Sequence, residues 1–141
     1  MQRWHYQVNN SPRKDLLMPP QVVFGNTSVE GASRGGWFLG HFITPTDDPR
    51  STSTLEVKWA VHKAGDGRSQ WATNVEATTL SILITGQFRI QFPEQDVLLS
   101  REGDYVLWSP GVPHSWCAES ESTIVTVRWP SKSGDSVEVP I

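Results

Sequence analysis

The 141-residue sequence predicts a single all-β domain of sandwich or barrel type. Three observations carry this. Short runs rich in β-branched and aromatic residues recur along the chain. Gly and Pro, 21 residues between them, punctuate those runs rather than massing in one linker. Apolar residues nowhere repeat at three and four over a helical length.

Taken in order, residues 1–36 form an N-terminal arm and loops expected to pack on the barrel, with a short strand at Val22-Val23-Phe24. Trp37 to Ile43 is an apolar, aromatic strand bounded by Gly36 and Pro45. Leu55 to His62 alternates, with Val57, Trp59 and Val61 on one face and Glu56, Lys58, Ala60 and His62 on the other. Thr78 to Ile84 is β-branched, and Gly86 stops it. Phe88, Ile90 and Phe92 then alternate with Arg89 and Gln91, so the pair reads as a hairpin turning at Gly86. Val97–Leu99, Tyr105–Trp108 and Ser122–Trp129 complete the strands of residues 37–130, the last two stopped by Pro110-Gly111 and Pro130. Residues 131–141 read as a polar tail in which Val137 and Val139 pair at an edge.

Composition narrows the function classes. Twelve Lys and Arg against fifteen Asp and Glu give a net charge of −3, which argues against non-specific nucleic-acid binding. The single cysteine, Cys117, excludes an intramolecular disulfide and any CxxC site, and reads as an ordinary buried thiol. No secretory leader and no membrane-length apolar run is visible, so the expectation is a soluble, cytoplasmic protein with no membrane partner. Seven tryptophans are the anomaly. They fit an aromatic core or dimer face, or a stacking surface for a planar or sugar ligand.

The most specific string runs from Gly103-Asp104 through Tyr105-Val106-Leu107-Trp108 and the turn Ser109-Pro110-Gly111 to Pro113-His114. It resembles the second motif of the cupin superfamily, with Ser109 in place of the first Pro of the turn. The resemblance covers residues 55–130 and implies a single-domain, mostly antiparallel jelly-roll β-barrel, with Asp104 supporting a turn and His114 pointing into the barrel mouth. The family's first motif supplies two His and a Glu that join that His around a divalent metal. Counted back from Gly86, those positions fall on Ala72, Asn74 and Thr79. A one-residue shift puts the two His positions on Thr73 and Val75. In either register the triad is missing, so no cofactor is assigned. A rebuilt zinc or iron set of His114, His62 and Glu56 stays open.

The ligand-binding candidates are therefore His114, Asn74, Thr79, Trp71 and His62. Alternation of the 55–62 strand puts His62 outside, whereas the resemblance puts it inside. Thr79 and Ser81 share a strand face. Trp71 walls the mouth or packs in the core. Arg89 and Arg128 interrupt apolar strands and are expected to reach solvent; an inward Arg would select an anionic ligand. His41 reads as a satisfied structural histidine, and His5 lies near the terminus. The leading expectation is a small-molecule-binding cupin without the standard metal triad, homodimeric by resemblance. Its rivals are an isomerase or dioxygenase, with His114 as base or metal ligand, and a structural dimer with a filled barrel.

Overall fold

The structure is a computed structural model and describes residues 20–140. Ten strands account for its architecture: β1 Trp37–Leu39, β2 Glu56–His62, β3 Trp71–Asn74, β4 Thr78–Thr85, β5 Phe88–Gln91, β6 Asp96–Leu99, β7 Tyr105–Trp108, β8 Ser115–Ala118, β9 Ser122–Trp129 and β10 Ser136–Val139. All named pairings are antiparallel. One sheet has the order β1-β2-β9-β4-β7, and facing it is β6-β5-β8. The β10-β3 ribbon joins the second sheet through the bridge Ala72–His114, whose two backbone hydrogen bonds measure 3.0 and 2.9 Å. Two facing antiparallel sheets with such crossings make a jelly-roll barrel.

The hairpin expected at Gly86 does not form. β4 pairs with β7 and β9, whereas β5 pairs with β6 and β8, so at Gly86 the chain leaves one sheet for the other. Gly86 has φ +99°, and a Cβ there would lie 2.2 Å from the Glu121 carbonyl oxygen. Only glycine fits such a crossing. The strand expected over 37–43 stops at Leu39. Val22-Val23-Phe24 is not a strand, and Val22 and Phe24 are almost fully exposed. A short helix α1, Thr27–Glu30, follows, capped by the Asn26 side chain at 2.9 Å from the Ser28 amide. Arg50 ties this segment down by bonding Glu30 and Asp48 together.

Strand registry explains the interior. β2, β9, β4 and β7 align in rows across the large sheet, and alternate rows face inward. The first inward row is Glu56, Arg128, Thr79, Trp108; the second is Lys58, Thr126, Ser81, Val106; the third is Ala60, Ile124, Leu83. Hydrophobic packing concentrates towards the third row, where Leu83 and Ile124 meet Phe88, Ile90, Leu99 and Ala118 from across the barrel. Leu83 is fully buried. The first two rows remain polar inside a barrel, and they set out the site.

Candidate functional site

A cavity opens between the sheets, walled by Lys58, His62, Thr79, Ser81, Trp108, Thr126 and Arg128 from the large sheet side. From the other side come Arg68, Phe88, His114, Ser115 and Trp116. Its volume is about 60 Å³, room for on the order of four waters. One aromatic wall is a ring cluster: the His62 centroid lies 4.3 Å from that of Trp116, tilted, and 5.5 Å from that of Phe88, stacked. On the second, Trp108 meets His114 at 4.8 Å.

Three of the five candidate residues, His114, Thr79 and His62, meet at this cavity. His62 faces inward because β2 presents its polar face to the interior; Val61, on the apolar face, is 58% exposed. The alternation reading of His62 is thus corrected. Asn74 and Trp71 do not line the cavity. Asn74 is buried and donates from Nδ2 to the Asp135 carboxylate at 3.1 Å, and Trp71 borders a surface groove beside Glu138 and Val139. β3 pairs with β10, and this directs both residues to that ribbon.

Two further residues on this wall were not among the ligand-binding candidates. Arg128, expected in solvent, turns inward in the row of Glu56 and Thr79. Lys58 shares its inward face with His62. For Lys58 the signal is the alternation of β2, read with the wrong face inside; for Arg128 the sequence leaves open an inward placement that selects an anionic ligand, but solvent is the expectation. Arg89 does reach outward, to Glu119 at 2.7 Å and Asp96 at 3.7 Å. Asp104 accepts from the Ser100 and Arg101 amides, as a turn support should. His41 Nδ1 and the Ser131 hydroxyl are 2.6 Å apart. Cys117 is only partly buried, 3.9 Å from Glu119, because it faces out from β8. His5 lies outside the described residues.

Electrostatics in the cavity favour neutral imidazoles. His114 donates from Nδ1 to the Val112 carbonyl at 3.0 Å, which leaves Nε2 with a lone pair. Burial, helped by Arg68 and Arg128 and opposed by the Val112 contact, pushes its pKa down to about 4. Burial also lowers His62, with Lys58 adding to the effect. Lys58 falls to about 8, from burial first and then from Arg128 and Arg68. Burial raises the Glu56 carboxyl, against the pull of Arg128.

The residues present do not fit a divalent metal. Ala72 is the cross-strand partner of His114 and has nothing to ligate with; Asn74 is tied to Asp135; Thr79 offers a neutral hydroxyl, not a carboxylate. Lys58, Arg68 and Arg128 line the same space and repel a cation. Among the described residues no three His, Cys, Asp or Glu side chains come together as a metal set, and Glu56 does not line the cavity with His62 and His114.

Comparison with known proteins identifies the scaffold. No family model and no curated protein matches the sequence. Solved structures do. A Streptomyces PAC13 variant solved with uridine is 16% identical, with a TM-score of 0.55 over 63% of this chain and 71% of that one. An uncharacterized Klebsiella pneumoniae protein with a double-stranded β-helix domain is 18% identical, with TM-score 0.55 over 64% and 78%. A cupin superfamily protein from Desulfitobacterium hafniense is 14% identical, with TM-score 0.51 over 57% and 71%. At these identities the likeness is one of fold. No helix among the described residues is long and apolar enough to cross a membrane.

Proposed function

We propose that this chain, which has the cupin fold, binds a small molecule in its barrel interior through its own side chains rather than through the family's metal set. One observation carries the reading. Thr79 Oγ1, Trp108 Nε1 and Arg128 Nε are buried without a hydrogen-bond partner among the described residues, and all three residues line the cavity. Unpaired buried polar atoms cost about 1–3 kcal/mol each, so a site that keeps several of them is built to pair them with something else. The aromatic walls supply stacking area for a ring. The uridine in the Streptomyces structure places nucleosides on the screening panel beside aromatic acids and sugars.

The test is a thermal-shift screen of the full chain, followed by calorimetry on two variants. Trp108→Phe keeps an aromatic ring, though a smaller one, and deletes the donor; Thr79→Val keeps the shape and deletes the hydroxyl. Each should weaken the best ligand about five- to tenfold while the fold persists. Unchanged affinity in both variants would place the ligand elsewhere. One equivalent of tightly held zinc, iron, nickel or manganese in untagged protein would overturn the metal-independent reading.

Catalysis by His114 as a general base is less well supported. An imidazole with a pKa near 4 is a weak base at neutral pH. For assembly, we infer a homodimer formed through the outer face of the large sheet. Val61, Tyr105, Leu107 and Trp129 are exposed there, and the outward positions of β2, β9 and β7 carry no charge.

A further inference from the structure

Lys58, Arg68 and Arg128 bring three cationic side chains to one small cavity. Among the described residues none of the three has a carboxylate within 4 Å. Arg68 spends its contacts on carbonyls, donating to Gln70 and His114 at 3.1 and 3.0 Å. Lys58 and Arg128 both lie over the Trp37 ring, 5.2 and 4.7 Å from its centroid. An aromatic face holds a cation without neutralising it. Glu56, beside Arg128 in the first inward row, is the one buried carboxylate on this face; Asp135 and Glu138 act on Arg128 and Arg68 from the β10 side. Cations of this number, partly withdrawn from water and close together, cost free energy unless a counter-charge joins them.

We propose that the ligand carries an oxyanion, a carboxylate or phosphate on a small ring, held by Lys58 and Arg128, with the ring against the aromatic wall. This deepens the small-molecule reading above and rests on it. Thr79 Oγ1 and the unpaired Arg128 Nε stand in the same inward row, next to the Lys58–Thr126 row, so donors and charges converge on one spot. A guanidinium and an ammonium in a water-poor site favour an oxyanion over a neutral polar group through charge-assisted bonds. The cavity volume admits the oxyanion and the leading edge of the ring, not an extended ligand.

The experiment compares benzoate and phenyl phosphate with neutral benzyl alcohol and uridine, by calorimetry on the full chain at 50 and 300 mM NaCl. One of the anions should bind at least tenfold tighter than benzyl alcohol, and its affinity should fall several-fold at the higher salt. Lys58→Met and Arg128→Gln should each weaken it about tenfold or more, and Arg128→Lys should recover part of the loss. If Arg128→Gln does not fold, Lys58→Met and Arg128→Lys decide the matter. Salt-insensitive binding of benzyl alcohol or uridine, unaffected by Lys58→Met but weakened by Thr79→Val, would overturn the oxyanion and leave the pocket reading standing. No binding by any of the four probes would overturn both.

Discussion

His114 shows how one residue's environment fixes its chemistry. The motif brings it to the cavity, but its ring sits against Trp108 and under the influence of Arg68 and Arg128. The neutral form is therefore the native form. Because its folded pKa, about 4, lies below the 6.5 of a free imidazole, the unfolded chain binds the extra proton first as pH falls. The stabilisation is whole above pH 6.5 and drains away between about 6.5 and 4, by on the order of 2–3 kcal/mol. Urea unfolding at pH 7 and at pH 4.5 measures it, and His114→Gln should flatten this part of the profile. A profile equally steep in the variant would move the effect to other groups. Asp104 acts in the opposite sense on charge: its carboxyl, held low by the Ser100 and Arg101 amides, contributes above the carboxylate range and is lost in strong acid. The sequence disclosed both residues, because a turn-bounded motif fixes where they stand. It could not disclose Arg128, whose inward turn depends on which face of β9 the barrel encloses.

Strands carry the same lesson further. β2 has two unlike faces, and periodicity reveals the difference without saying which face is inside. The apolar face points out because the interior at this level is a polar cavity. Pairing was equally hidden at Gly86, where local turn chemistry suits a hairpin or a sheet crossing. Gly86→Ala adds both a strained positive φ and a 2.2 Å clash with backbone, so a loss of more than about 2 kcal/mol in urea unfolding is expected. The β3–β10 ribbon hangs on Asp135, which accepts from Asn74 Nδ2 and from the Glu76 and Ala77 amides at 2.7–3.1 Å. Asp135→Ala leaves buried donors unpaired and should cost about 2–4 kcal/mol. Amide exchange at Glu76 and Ala77 should accelerate first. Unchanged protection there would show that the ribbon is held by its ladder alone. Asn74 belongs to this clasp, which is why a motif count that ignored the C-terminal strand assigned it to the mouth.

For the whole molecule, the same inversion bears on assembly. At the level of the first two rows, the barrel has polar side chains inside and apolar ones outside, so both surfaces there are left to be completed. On the proposed reading, a ligand completes the two polar inner rows. On the outer face, Val125 and Val127 lie between Val61 and Trp129 on one side, with Tyr105 and Leu107 on the edge strand β7. An uncharged apolar face this broad marks an interaction surface, and lacking charge it is complementary to its own copy. The full chain should therefore elute at twice its monomer mass at micromolar concentration. Leu107→Lys with Val61→Lys should shift it to monomer, because two buried ammonium groups per protomer have no partner in that interface. Since β2 and β7 turn these side chains away from the cavity, the variant should keep its benzoate or phenyl phosphate affinity. Monomeric wild-type protein, or a variant that stays dimeric, would overturn assembly through this face.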